Sequence, residues 1–181
     1  MAIREVFNPA TGERFWFDDA QCDDAGRVRQ LRYELAPGNT VPMHRHPGTA
    51  QRFEVVSGCL HVETAAGVCA LQAGEQLACE PGDAHRQWNA GTVPVVAIDG
   101  YEPPLDIEPF FTEMAAMGAC GDLKPGGAPR NIFKFAVFVH DHAAVTRIAS
   151  PAAAAAVATL AALARFAGLA RWYRRAGEAK R

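Results

Sequence analysis

The chain has 181 residues, of which 49% are hydrophobic and 21% are charged, and its formal net charge at pH 7 is −2. This length is typical of one domain and is enough to bury a substantial core. Basic residues are dispersed through the body of the chain rather than gathered into a stripe, so the composition gives no reason to expect a nucleic-acid partner.

The N-terminal segment predicts a hairpin and no export signal. It carries charges and a proline where a secretory signal would need an apolar run, so we expect a cytoplasmic protein. Residues 3–7 and 13–17 are short strand-like segments joined by Asn-Pro-Ala-Thr-Gly, a sequence of turn-forming residues. The five cysteines are an odd number without a CxxC pair, which argues against a disulfide framework and against thiolate metal ligands.

Residues 28–99 show a repeated pattern of short alternating segments. The separators contain Gly, Pro, Asn or Asp, which supply turn dihedrals or end a ladder. This pattern is typical of an antiparallel sandwich or barrel rather than of βαβ units. The first segment places Leu31, Tyr33 and Leu35 on one face. Further strands are predicted over 50–56, 59–64, 68–72, 76–80 and 95–99.

The pattern changes to helices beyond residue 104. Residues 107–118 carry three apolar side chains at helical spacing and end at a glycine, as a short helix does. The three side chains are Phe110, Met114 and Met117. Residues 120–130 have the composition of a loop, and the apolar run 131–142 is compatible with either a buried strand or a helix. We divide the chain into a β-barrel over 1–104 and a helical extension over 105–181.

The C-terminal segment predicts one long helix from Ser150, with Pro151 in the first turn and a run of alanines after it. Larger apolar residues recur every third position: Val157, Leu160, Leu163, Phe166, Leu169 and Trp172. A step of three advances about 300° around a helix, so these side chains drift around its circumference. Three arrangements remain open: packing on the barrel and preceding helices, a homodimer interface, or peripheral membrane contact aided by the terminal arginines.

Two histidines one residue apart form the strongest chemical motif. In a strand, His44 and His46 project to the same side and can present two imidazoles to one point. In the next strand Gln51 shares an inward face with Phe53 and Val55, whereas Glu54 has the opposite parity and is expected to point outward. In a third segment, in-phase polar residues make a further candidate site element: His85, Gln87 and Asn89.

The remaining histidines are expected to have structural roles. His61 lies in the middle of a predicted strand, where a surface or interstrand position is expected. His140 and His142 form a second His-x-His, but no third ligand lies nearby in the sequence and an acid separates them. A second metal site is therefore not predicted.

The spacing of glycines, histidines and position 51 resembles the two sequence motifs of the cupin superfamily. The first motif is similar to Gly38, His44, His46, Gln51 and Gly58, and the second to Gly74, Gly82, His85 and Asn89. The resemblance implies a mainly β fold, a small antiparallel β-barrel of jelly-roll type, followed here by C-terminal helices. It further implies one divalent metal ion held by His44, His46 and His85, with Gln51 where the family usually has glutamate.

The resemblance implies a metal-dependent enzyme acting on a small-molecule substrate. Iron(II) is favoured, and manganese, zinc, nickel or copper also suit imidazole ligands. An amide in place of a carboxylate leaves the metal more positive, which favours an anionic bidentate substrate. Gln51 either ligates weakly or hydrogen-bonds a bound ligand, and Gln87 is the second candidate catalytic residue.

The expected reaction is that of an iron-dependent oxygenase acting on a small oxygenated organic anion. Two alternatives stay open. One is a non-enzymatic cupin that binds a metal or a small ligand as a sensor or accessory protein, which the substitution at Gln51 supports. The other is a metal-dependent isomerase or lyase.

Overall fold

The computed structural model describes residues 3–18 and 28–169. Cys22 and the terminal segment with Trp172 lie outside these residues. The strands are β1 (Arg4–Asn8), β2 (Glu13–Phe17), β3 (Arg29–Leu35), β4 (Thr40–Arg45), β5 (Ala50–Ser57), β6 (Cys59–Thr64), β7 (Gly67–Gln72), β8 (Gln76–Cys79), β9 (Ala84–Trp88), β10 (Val95–Glu102) and β11 (Arg147–Ile148). The helices are α1 (Ile107–Ala119), α2 (Ile132–Asp141) and α3 (Pro151–Phe166).

Two antiparallel sheets form the β part of the molecule. One has the strand order β1-β2-β3-β10-β5-β8, and the other has the order β11-β4-β9-β6-β7. Chain neighbours such as β4 and β5 lie in different sheets, as in a jelly roll. The predicted mainly β fold of jelly-roll type followed by helices is confirmed.

Alternation along the strands creates the core between the sheets. In β3 the residues Leu31, Tyr33 and Leu35 are buried while those between them are more exposed. Phe53 of β5 and Leu60 of β6 also belong to the core, so both sheets contribute to it. The predicted N-terminal hairpin is confirmed by the antiparallel pairing of β1 with β2.

Gly58 makes the tight connection between β5 and β6. Its φ is +82°, and an added Cβ would lie 2.9 Å from the Pro94 carbonyl oxygen. Side chains are therefore excluded both by the backbone conformation and by the close neighbour. This turn transfers the chain from one sheet to the other at the end of the strand that carries Gln51.

The ambiguous run 131–142 is a helix. Asn131 caps α2, because its side-chain oxygen accepts hydrogen bonds from the backbone of Phe133 and Lys134. The prediction of α1 is confirmed to within one residue of its end, and Phe110 of α1 stacks on Phe138 of α2 at 5.4 Å between ring centroids.

The start of the predicted long helix is confirmed as α3, with Ser150 as N-cap and Pro151 in the first turn. The prediction extends to residue 175; α3 ends at Phe166, and residues 170–175 lie outside the described residues. Its small residues Ala161 and Ala164 are buried against α2. Leu163 and Phe166 are 54% and 95% exposed, as expected for apolar residues that drift around the helix. None of the helices among the described residues has the length and apolar character needed to cross a membrane.

The sequence does not predict β11. This two-residue strand pairs with β4 at the positions of Arg45 and His44. It therefore joins the helical part of the chain directly to a strand that carries a candidate ligand.

Candidate metal centre

The three predicted histidine ligands converge. Pairing of β4 with β9 places His44 opposite His85, and His46 lies one residue beyond the end of β4. One ring nitrogen from each lies within 4.8 Å of the others. Among residues 3–18 and 28–169, this is the one group of three or more histidine, cysteine or acidic side chains placed to share a metal ion.

Backbone carbonyls fix the tautomer of all three rings. The partners of Nδ1 are the Pro42 oxygen at 2.8 Å for His44, the Val145 oxygen at 2.7 Å for His46 and the Asp83 oxygen at 3.1 Å for His85. A carbonyl can only accept, so each Nδ1 is the donor and each Nε2 of the neutral rings carries a lone pair. This arrangement is typical of metal-ligating histidines, whose other nitrogen donates to the protein.

The rings are neutral because the protein buries them. Burial, together with the neighbouring histidines, lowers the pKa of His44 to about 3, and burial lowers the pKa of His85 to about 4. Burial also lowers the pKa of His46, although its hydrogen bond to the Val145 carbonyl acts in the opposite direction. Neutral imidazoles are the form that binds a metal ion.

Gln51 brings a fourth lone pair to the histidines. It is 2% exposed on the inward face of β5, and its Oε1 lies 2.8 Å from Nε2 of His85. The Nε2 atoms of His44 and His46 are 3.1 Å apart. With each Nδ1 donating elsewhere, none of these facing atoms supplies a proton to the other.

Lone pairs that face one another at hydrogen-bond distance repel unless a cation lies among them. Nitrogen ligands that each bind a metal at about 2.1 Å lie roughly 3 Å apart in neighbouring positions. The imidazole and amide donors therefore fit a divalent transition-metal ion.

Asp99 and Tyr101 are parts of the site that the sequence analysis missed. Both lie on the inward face of β10, and Tyr101 pairs with Gln51 in the register of β10 and β5. The amide nitrogen of Gln51 lies 3.1 Å from Oδ2 of Asp99 and 3.0 Å from the hydroxyl of Tyr101. The signal was available, because an acid in phase with buried apolar residues is unusual for a strand.

Burial raises the pKa of Asp99 to about 7, while hydrogen bonds from Gln51 and Tyr101 act to lower it. The Tyr101 hydroxyl donates to Oδ2 of Asp99 at 3.2 Å. Oδ1 of Asp99 is buried and has no hydrogen-bond partner within the described structure. A polar cluster thus lies directly behind the amide of Gln51.

Gln87 and Asn89 are buried further along β9 and the turn after it. The amide of Gln87 donates to the Tyr33 hydroxyl at 3.4 Å, and its oxygen is buried without a partner among the described residues. Asn89 holds the turn, because its side chain donates to the carbonyls of Leu35 and Val93. Neither amide has a hydrogen bond to the histidines in the described structure.

Aromatic rings form the wall around the histidines. Phe53 meets the ring of His85 edge-on at 5.9 Å, and Tyr101 meets that of His46 at 5.6 Å. Val55 belongs to the core. Glu54 points outward, as predicted, and accepts a hydrogen bond from Gln76.

The other histidines have separate partners. His61 stacks on Trp88 of the neighbouring strand at 5.3 Å, which confirms the interstrand prediction. His140 contacts Arg165 at 3.1 Å, and His142 contacts Glu113 at 2.9 Å.

Comparison with known proteins relates the segment from β3 to β10 to a known domain family. A model of the cupin domain matches residues 31–101. Auxin-binding protein ABP19b of Prunus persica is 31% identical over 82 residues, which cover 42% of this chain and 39% of that protein. Germin-like protein subfamily 3 member 3 of Arabidopsis thaliana is 31% identical over 91 residues, which cover 46% and 43%. The chain thus spans about two fifths of the length of these curated relatives.

Among solved structures, KdgF from Halomonas sp. is similar in fold. The TM-score is 0.50 at 17% sequence identity, and the match covers 60% of this chain and 93% of that one. At this identity the likeness concerns the fold alone.

Proposed function

From the match of residues 31–101 to the cupin domain, we propose that the chain is a mononuclear metal-dependent enzyme, an iron-dependent oxygenase acting on a small oxygenated organic anion. The observation that carries the proposal is the convergence of three neutral histidines. The Nε2 lone pairs of His44 and His46 face each other, and that of His85 faces Oε1 of Gln51, with no proton between them.

Three histidines and one amide would hold the ion. His44, His46 and His85 supply imidazole nitrogen, and Gln51 supplies its Oε1 as a neutral fourth donor. Such donors suit iron(II), manganese, zinc, nickel or copper. Iron(II) is proposed on the resemblance to cupin-related dioxygenases with three-histidine iron sites.

The protein's own residues would bind and orient the substrate and exclude water from the site. When bound, a divalent ion would act as a Lewis acid that lowers the pKa of an anionic ligand and orients it. Because all four donors are neutral, the ion's charge remains available to an anionic bidentate substrate. His44 is the least buried of the three histidines, and we propose that substrate enters on its side. Phe53 and Tyr101, which pack against His85 and His46, would exclude water from those two ligands.

Metal analysis and O₂-uptake assays on the purified protein test this function. Stoichiometric iron together with substrate-dependent O₂ uptake supports an oxygenase, with small hydroxy-keto acids and catechols as first substrates. His85→Ala, which removes a proposed ligand, is the negative control and should show neither iron nor O₂ uptake. His140→Ala, outside the site, should behave as the wild type. Turnover without O₂ consumption would point to an isomerase or lyase.

The rival proposal is a non-enzymatic cupin that binds a metal or a small ligand as a sensor or accessory protein. Gln51 supports it, since a neutral amide binds metal less tightly than the family's carboxylate. Retained metal without turnover of any tested anion would favour this rival over the oxygenase.

We also propose that the protein is a homodimer in which α3 takes part. Support comes from Leu163 and Phe166, which are 54% and 95% exposed on this helix. Peripheral membrane contact through the same surface is the alternative, and a vesicle sedimentation assay distinguishes it from dimerisation.

A further inference from the structure

The orientation of the Gln51 amide is determined by what lies behind it. Its nitrogen faces Oδ2 of Asp99 at 3.1 Å and the hydroxyl of Tyr101 at 3.0 Å. Tyr101 donates its own proton to Asp99, so its oxygen has only lone pairs to offer Gln51. A flipped amide would place its oxygen against both of these acceptors. The nitrogen therefore faces Asp99 and the oxygen faces the histidines.

We propose that Asp99 is a positioning residue of the metal centre, which holds the amide of Gln51 with Oε1 toward the histidines. This inference rests on the proposed metal site. Asp99 does not touch the metal position; it acts through Gln51.

Barrel packing alone does not explain a carboxyl group at this position. Asp99 is 2% exposed on the inward face of β10, and its Oδ1 has no hydrogen-bond partner among the described residues. The ion pairs of the described residues do not include it. Buried polar atoms ordinarily have hydrogen-bond partners. The partnered oxygen of this carboxyl group, Oδ2, faces the Gln51 amide and the Tyr101 hydroxyl.

Gln51 and Asp99 act as a matched pair of one amide and one carboxyl group. The family's usual glutamate at position 51 would here face a second carboxyl group across the 3.1 Å that now separates a donor from an acceptor. Two carboxylates that close cannot both ionise without strong mutual repulsion. Exchanging the two groups, by Gln51→Glu together with Asp99→Asn, keeps the hydrogen bond and the total charge.

The test is a double-mutant cycle on apo-protein titrated with Co²⁺. The variants are Asp99→Asn, Gln51→Glu and the two combined. Glu54→Gln serves as the control. It is an acid-to-amide change, as Asp99→Asn is, but Glu54 lies on β5 and points outward. Affinity is measured by calorimetry, the ligand environment by the visible absorption of bound Co²⁺, and folding by thermal unfolding without metal.

Asp99→Asn is expected to weaken Co²⁺ binding about 10-fold, the scale of losing a ligand's supporting partner, and to change the Co²⁺ absorption bands. Gln51→Glu should lower the Tm of the apo-protein and increase the rise in Tm that Co²⁺ causes. The combined variant should regain the apo-protein Tm and bind Co²⁺ at least as tightly as the wild type. Glu54→Gln should leave affinity and absorption unchanged.

The outcomes separate this inference from the proposed function. Wild-type protein that does not bind Co²⁺ overturns the proposed function. Wild-type binding with an unchanged affinity and spectrum in Asp99→Asn overturns only the role of Asp99. Should Asp99→Asn fail to fold, the combined variant decides, because the inference requires it to fold and to bind Co²⁺.

Discussion

Two His-x-His motifs in this chain have the same spacing and different structures. His44 lies at the end of β4 and His46 one residue beyond it, and their Nε2 atoms are 3.1 Å apart. His140 and His142 lie at the end of α2, where one contacts Arg165 and the other Glu113. The spacing therefore predicts a chelate only in combination with its secondary structure. We call His44 and His46 the strand motif, and His140 and His142 the helix motif.

Backbone geometry explains the difference. Residues two apart in a strand project to one side of the sheet, whereas in a helix they are separated by about 200° around the axis. A third ligand completes the first motif, because His85 lies opposite His44 on the paired strand β9. The helix offers His140 and His142 no such neighbour among the described residues.

Removal of a ligand from the strand motif should have the largest effect. His85→Ala is expected to abolish stoichiometric metal binding, a loss greater than the roughly 10- to 100-fold caused by removing a ligand's hydrogen-bond partner. Metal content by mass spectrometry after purification measures this. His140→Ala is the matched change in the helix motif and should leave the metal content unchanged. A fully loaded His85→Ala protein would contradict the assignment.

The carbonyl of Val145 connects the helical region to the strand motif, and disturbing it should have the next largest effect. Val145 is 1% exposed, and truncation to alanine should cost about 2 kcal/mol of unfolding free energy. We expect metal affinity to fall up to about 10-fold as well, because the acceptor for His46 Nδ1 loses its packing.

Val95→Ala is the control for this change, since Val95 is equally buried in the barrel. It should cost similar stability and leave the metal affinity unchanged. Calorimetric titration and thermal unfolding of both variants measure the two quantities. Equal affinity in Val145→Ala and Val95→Ala would show that the packing of the Val145 side chain does not support the ligand.

The helix motif should contribute to stability alone. His142 packs on Phe138 at 4.9 Å between ring centroids and contacts Glu113, so His142→Ala should lower the unfolding free energy by about 1 kcal/mol. Denaturant unfolding measures this, with metal content determined in parallel. A loss of metal from His142→Ala would remove the contrast between the two motifs.

The smallest effect on folding is expected at the exposed end of α3. Phe166→Ser should change the unfolding free energy by less than about 0.5 kcal/mol, because the side chain is 95% exposed. The proposed homodimer would be weakened by the same change. Light scattering across a concentration series measures the mass, and an unchanged dimer would exclude Phe166 from the interface.

The sequence by itself determined the β pattern, the inward parity of Gln51 and the outward parity of Glu54. These features follow from local periodicity: alternation in strands, turn residues between them and a capped alanine-rich helix. Recognition of the cupin motifs further predicted which three histidines would meet. Local pattern left residues 131–142 ambiguous, since a short apolar run is compatible with both structures until its packing partners are known.

Only the tertiary structure decided what surrounds those histidines. Asp99 and Tyr101 reach Gln51 through the pairing of β10 with β5, and Val145 reaches His46 from the segment before β11. These partners are 48, 50 and 99 residues away along the chain. Such contacts depend on strand register and on the packing of distant segments, which no local periodicity encodes.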